Sequence, residues 1–294
     1  MGAAAVATTT VGIGIESTIF EPNHPQLVHV ELPLRRLPEA WDGLTIAQLS
    51  DFHYDPRFSE VPLRKAIPIV NNLKPDLIML TGDFVTVPLI DGPRRAKNAA
   101  QAAEPCAKLL SELKAPLGVF AVLGNHDVAS DASRVVSSLQ GHGIQVLRNR
   151  SLPLERDAKR IWLSGIDNVL EGSPDLEITL QPVPHEEPVI LMVHEPDFAE
   201  SVARHPVDLQ LSGHSHGGQI RLPFLGAVYL PDMGRKFPRG LYKLGPLTLY
   251  TNVGLGTIRI PVRWNCPPEI TLFTLSSRPD MLQGSAIGRK NSQS

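Results

Sequence analysis

The chain has 294 residues, 42% of them hydrophobic and 20% charged, with a formal net charge of −2. This length allows one large or two ordinary globular domains, and the apolar fraction is ample for a core. The near-neutral balance excludes a general nucleic-acid binder, so no nucleic-acid partner is expected. The balance is uneven: residues 217–264 carry seven Lys/Arg and one acid, Asp232. Such asymmetry marks either a solvated basic face or a site for an anion. Cys106 and Cys266 are too few and too far apart for a disulfide framework or a thiolate metal site.

Residues 2–15, GAAAVATTTVGIGI, are small, apolar or hydroxylated, and the first charge is Glu16. They have the texture of a signal-peptide core without its basic lead, and they are shorter than the roughly 20 residues that span a bilayer. Residues 1–20 therefore read as a remnant of a clipped export signal or anchor, which favours an exported or membrane-associated protein over a cytoplasmic one. Residues 277–294 have little to bury and read as a disordered tail. Between them, 21–276 shows no repeat and no Pro/Gly/Ser linker, and reads as one domain.

Five apolar runs then end in residues that can bind metal. LTIAQLS leads to Asp51 and His53, and PDLIMLT to Asp83. LGVFAVL leads to Asn125-His126-Asp127, PVILMV to His194, and VDLQLS to His214 and His216. Each run is mostly apolar and bounded by turn formers, as a strand buried on both faces should be. The segments between them suit helices. SEVPLRKAIPIVNNLK contains Pro68, which should shorten or kink it, and RRAKNAAQAAEPCAKLLSELK is interrupted by Pro105. SDASRVVSSLQGHG offers Ser130 or Asp131 as a cap and Gly141 as a stop, and PDFAESVARH makes a short helix. IQVLRN, RIWLSGID, AVYL, GLYKLGPLTLYTN and EITLFTL read as strands, with LGPL as a hairpin turn. Two packed sheets with helices outside fit this order.

In LSGHSHGGQI, an extended backbone would point His214 and His216 to the same side, with Gly213, Gly217 and Gly218 allowing close approach. In open α/β sheets the site lies beyond the carboxyl ends of the strands. Asp51, His53, Asp83, Asn125, His194, His214 and His216 would then meet in one place. Seven donors exceed what one catalytic ion needs and suit two, with a carboxylate between them. Two divalent ions, two carboxylates and a bridging hydroxide leave a positive charge, which favours a phosphate. Nitrogen and hard oxygen donors without thiolate suit manganese, iron or zinc. His126, offset by one residue from a ligand, could protonate a leaving group as general acid, with Asp127 positioning its ring or raising its pKa. There is no Walker loop.

The blocks DFH, GDFV, GNHD, VHEPD and GHSHGG, in this order and spacing, resemble the calcineurin-like metallophosphoesterase superfamily over residues 45–275. The resemblance implies a four-layer αββα sandwich of two mixed β-sheets flanked by helices (α+β or α/β). It implies one metal on Asp51, His53, Asp83 and His216, and a second on Asp83, Asn125, His194 and His214, with His126 as the phosphate-contacting acid. GHSHGGQIRLPFLGA and GLGTIRIPVRWNCPPEITLFTL are similar to a bacterial exported or membrane-associated subfamily that includes a UDP-2,3-diacylglucosamine pyrophosphatase. Phe52, Tyr54-Asp55 and Thr86 depart from its commoner residues and leave the pocket rim open to question. The implied activity is hydrolysis of a phosphomonoester, phosphodiester or pyrophosphate, on a small-molecule or lipid-linked substrate, with contact to a membrane surface. A non-catalytic scaffold on the same fold and a lipid-surface binding protein are the alternatives. Arg221, Arg235 and Arg239, with Lys236, Arg259 and Arg263, are expected to flank the site and hold an anionic part of the substrate.

Overall fold

A computed structural model describes residues 12, 14–88 and 98–278. Its apolar strands feed two cores at once. In β3 (Leu77–Leu80), Leu77 and Met79 pack with Ile190, Met192, Leu209 and Leu211. Ile78 and Leu80 pack on the opposite side with Leu63, Ile67, Ala107 and Leu139. Successive side chains of a strand point to opposite faces, so a strand apolar at every position must be covered on both.

The covers are a second sheet and a layer of helices. One six-stranded sheet runs in the order β1 (Gln26–Pro33), β14 (Glu269–Ser276), β2 (Thr45–Leu49), β3, β4 (Val119–Ala121), β5 (Gln145–Val146). The other runs β12 (Gly240–Leu244), β13 (Leu247–Thr251), β9 (Leu209–Ser212), β8 (Val189–Met192), β7 (Lys159–Gly165), β6 (Arg150–Arg156). Both are mixed. β2 to β5 are parallel with β14 antiparallel to β2, while β13, β9, β8 and β7 are parallel with antiparallel β12 and β6 at the edges.

Helices α1 (Glu60–Leu73), α2 (Ala103–Leu110) and α3 (Asn125–Gly141) cover the first sheet. Short α4 (Leu176–Leu180) and α5 (Ala199–Val202) cover the second, against Trp162, Val189, Leu191 and Leu249. The layers are helix, sheet, sheet, helix, a four-layer αββα sandwich.

Several local expectations change. α1 runs unbroken through Pro68. α3 kinks at Asp131 (φ −168°, ψ 89°), where the Asp131 side chain accepts from Arg134 N and caps the second half. Of AVYL, only Ala227 enters a strand, in the hairpin of β10 (Arg221–Leu222) and β11 (Gly226–Ala227). Most of the signal or anchor expectation, and residues 279–294 of the tail, lie outside the described residues. Glu16–Phe20 forms a π-helical turn and Glu21–Asn23 a 3-10 turn. Among the described residues no helix is long and apolar enough to cross a membrane.

The sheets are joined by polar groups as well as by packing. Gln48 Nε2 in β2 donates to Thr81 Oγ1 at 3.1 Å and across to the Ser212 carbonyl of β9 at 2.9 Å. That link joins the last residue of β9 to the next-to-last residue of β2, just beneath the loops that follow.

The inter-sheet layer supplies a direct test. Phe120, 2% exposed, fills it from β4. Phe120→Ala should cost about 3–5 kcal/mol in denaturant unfolding, as buried Phe truncations do. A loss below ~1 kcal/mol would show that the sheets are not packed tightly there.

Candidate metal centre

All seven donor residues follow the carboxyl ends of β2, β3, β4, β8 and β9, three strands of one sheet and two of the other. The local backbone is unusual. Asp51, His53, Asp83, His214 and His216 all have positive φ, from 42° to 69°. Such conformations cost roughly 1–3 kcal/mol each in non-glycine residues and persist only where the surroundings over-determine them. Their partners are visible: His214 N donates to both Asp51 oxygens at 3.0 Å, and His126 N donates to Asp83 Oδ1 at 2.9 Å.

Three clusters of donor atoms result: Asp51, His53 and His216; His53, Asp83 and His126; Asp83, His194 and His214. Asp83 Oδ2 lies 3.4 Å from His53 Nε2 and 3.2 Å from His194 Nε2, so one oxygen stands between the outer groups. His214 and His216 therefore face different groups. The extended backbone expected for HSH is replaced by turns, and the two rings diverge.

The ring protons can be assigned from fixed partners. His194 Nδ1 lies 2.6 Å from the Thr81 carbonyl oxygen and must donate to it, which leaves Nε2 buried with no hydrogen-bond partner. His214 Nε2 donates to the Asp232 carbonyl at 2.8 Å, so its bare Nδ1 faces Asn125 Oδ1 at 3.0 Å. His53 Nε2 and His216 Nε2 face each other at 2.9 Å. Either a proton on one of the two nitrogens or a cation satisfies this pair. Burial holds His53 down at about 3 and His214 at about 4, and holds His216 well below its ordinary value. These rings are neutral, the form that binds metal. Burial disfavours ionised Asp83, but His194 and His126 outweigh it and keep the carboxyl well below its usual range. Burial also disfavours charged His194, yet Asp83 lifts it well above the usual value. The donor set fits divalent ions.

A model for the calcineurin-like phosphoesterase domain matches residues 44–218. The chain belongs to the calcineurin-like phosphoesterases. It is 38% identical to the uncharacterized metallophosphoesterase YkuE of Bacillus subtilis, over 94% of each chain. It is 32% identical to phosphodiesterase YaeI of Escherichia coli, over 77% of this chain and 80% of that one. It is 28% identical to the UDP-2,3-diacylglucosamine pyrophosphatase LpxG of Chlamydia trachomatis, over 95% of this chain and 99% of that one.

Other residues of this phosphoesterase sit differently from the sequence reading. Asp127 does not touch the His126 ring. It is buried, and its carboxylate accepts from the backbone N–H of Asp83, Phe84, Val85 and Gly124 at 2.8–3.1 Å. Consecutive residues at a helix start project about 100° apart, so Asp127 clamps the loop that presents Asp83 while His126 faces the cleft. The His126 ring is set instead by Val87 N, which donates to Nδ1 at 3.0 Å. Arg263 is no rim cation. Fully buried, it donates to the carbonyls of Val253, Gly254, Gly256 and Cys266 at 2.6–3.1 Å. It thereby fixes the turn whose Gly256 N donates to the Asp51 carbonyl.

Arg221, Arg235 and Arg239 line neither of the two clefts at the site, whereas Arg259 lines both. Arg221 donates to the Gly217 carbonyl, Arg235 pairs with Asp232 at 2.8 Å, and Lys236 pairs with Glu200. The sequence reading missed Thr86 as a partner: its hydroxyl lies 2.9 Å from His53 Nδ1 and orients that ring. Its departure from the commoner Asp is the signal that could have found it.

Two substitutions test this scaffolding. Asp127→Asn turns an acceptor toward four N–H groups into a partial donor. It should cost about 2–4 kcal/mol in denaturant unfolding, as loss of a buried charged acceptor does. Unchanged stability would remove the clamp from the account. At Gly213 a Cβ would collide with Ser50 Oγ and the Asp51 carboxylate. Gly213→Ala should leave a folded protein that binds less metal by elemental analysis, and full metal content would contradict the close packing of Asp51.

Proposed function

We propose that this chain hydrolyses a phosphodiester or pyrophosphate, with phosphomonoesters as simpler substrates, and that its natural substrate joins phosphate to an apolar group. One observation carries the reading: two clefts meet at His126. A cleft of about 620 Å³ reaches Asp83, Asn125, His214 and His216 and is walled by Leu170, Ile220, Val228, Tyr229 and Ile260. A second, of about 720 Å³, runs past His53, Tyr54, Asp55, Thr86 and Glu171. Asn125, His126, Ile258, Arg259 and Ile260 line both. A phosphorus bearing two substituents has a place for each, one in the strongly apolar cleft and one in the cleft of mixed lining, where Phe58, Val87 and Pro261 join the polar residues. The relatives named phosphodiesterase and UDP-2,3-diacylglucosamine pyrophosphatase support this choice.

In this reading Asp51, His53, Asp83 and His216 hold one divalent ion, and Asp83, Asn125, His194 and His214 hold a second. Manganese, iron or zinc would suit them. Such ions supply an activated water and offset phosphoryl charge. The protein's own groups do the rest. Because Val87 N donates to His126 Nδ1, the neutral ring carries its proton on Nε2 and offers it as a hydrogen bond in the cleft. Transfer of a proton to a leaving oxygen requires the imidazolium, formed when Nδ1 takes up a proton and gives up the Val87 contact. The start of α3, with its positive dipole end, borders the same space and favours an anion. Arg259, its guanidinium 4.9 Å over the Tyr229 ring, is the cation placed to touch substrate in either cleft. Arg221, Arg235 and Arg239 form a wider basic rim. The catalytic unit is the whole of 21–276, since neither sheet alone carries the full donor set. An exported or membrane-associated location belongs to this reading.

Metal assembly and proton transfer should separate by mutation. Asp83→Asn should lose both metal and turnover. His126→Ala should keep close to two metals per chain and lose about 10²–10⁴-fold, mostly in kcat, as general acid catalysis predicts. The loss should be smaller for p-nitrophenyl esters, whose leaving group scarcely needs a proton, than for alkyl esters. Metal analysis with kcat on both ester types decides it. Equal losses on the two, or a missing metal, would remove His126 from that role.

A further inference from the structure

The β10–β11 hairpin ends in a turn that no function described above uses. Phe224 and Leu225 at its tip are 108% and 80% exposed, the most exposed large apolar side chains among the described residues. Phe224 is also held at φ 64°, a left-handed backbone that a bulky residue rarely adopts. The apolar surface continues inward from the tip, through exposed Val228 and Tyr229, to Ile260 on the wall of the apolar cleft.

This ridge is flanked by cations. Arg221 lies on the hairpin itself, and Arg239 is close enough to oppose its charge. Arg235 reaches the Leu230 carbonyl at 3.4 Å, and Arg259 stacks on Tyr229. The facing acids are few: Asp232 is paired with Arg235, and Glu21 accepts from the backbone N–H of Asn265 and Cys266. Glu16 borders a crevice with Pro223 and Trp264. Cations around a protruding apolar tip complement one kind of partner, a surface with anionic headgroups over an apolar interior.

We propose that Phe224 and Leu225 dock the protein on an anionic lipid bilayer, with Arg221, Arg235 and Arg239 at the headgroup phosphates. The docked face presents the mouth of the apolar cleft to the membrane surface. A phosphate bearing acyl chains then reaches the metal centre without passing through water. Docking rests on the hairpin alone, and its test is read without turnover, so it stands or falls apart from the proposed reaction.

The test uses the full chain and the variant Phe224→Asp/Leu225→Asp, since two acids at fully exposed positions disturb no packing. Cosedimentation is measured with phosphatidylcholine vesicles and with vesicles containing about one third phosphatidylglycerol. The native chain should bind the anionic vesicles, with binding weakened by salt, and the variant should bind them about ten-fold or more weakly. Turnover of bis-p-nitrophenyl phosphate should be equal in the two proteins. Equal vesicle binding by both would overturn the proposal. So would absence of binding by the native chain, including the case where it self-associates through the hairpin or captures an acidic protein instead.

Discussion

Everything at the site depends on holding one carboxylate, Asp83, between imidazoles from both sheets. The His53 ring on one side comes from the first sheet and the His194 ring on the other from the second. A buried carboxylate alone would protonate, and burial keeps the rings of His53, His214 and His216 from taking up protons of their own. The cluster is therefore a poor arrangement for a protein and a good one for cations. It persists because its supports are not themselves part of the chemistry. Asp127 fixes the Asp83 loop through four amides, Arg263 fixes the turn behind Asp51 through four carbonyls, and Gln48 ties β2 to β9 just beneath.

These supports explain the strained backbone. Strands deliver residues to the edge of a sheet, but an extended chain would carry each side chain past the centre. Left-handed turns at Asp51, His53, Asp83, His214 and His216 bring the donors back over the strand ends. The turns need neighbours that can come unusually close. Gly213 lies against Ser50 and Asp51, and Gly254 lies against Asp51, where any side chain would intrude. Rigid sheets, small residues and buried polar clamps offset a strain that ordinary loops would relax.

What the sequence disclosed follows from this division. The five apolar runs were legible because a strand covered on both faces has no polar position to hide it, and each run points to its donor. The edge strands β1 and β6 were not, since almost all their side chains are exposed or half-buried and they form no continuous apolar run. Counting residues could place His214 and His216 near the centre, yet it could not show that intervening turns send them to different donor groups. Sequence adjacency misled at Asp127, where helix geometry turns a neighbour of His126 away from it. At Arg263, charge suggested exposure. A guanidinium can be buried when carbonyls surround it, and no local pattern records that.

The two arginine environments also bear on why this centre suits phosphate. Arg263 is spent internally: fully buried, it donates to four backbone carbonyls, so it adds positive potential beneath His53 and His216 without reaching substrate. Arg259 sits at the junction of the clefts with its guanidinium over an aromatic face, a placement that leaves its edge free to pair with phosphate oxygens. One cation shapes the field and the other can recognise the ligand. The neutral donors Asn125, His53, His214 and His216 keep that field from being cancelled locally. The arrangement favours an anion at the point where the two clefts join, beside Asn125, His126 and Arg259.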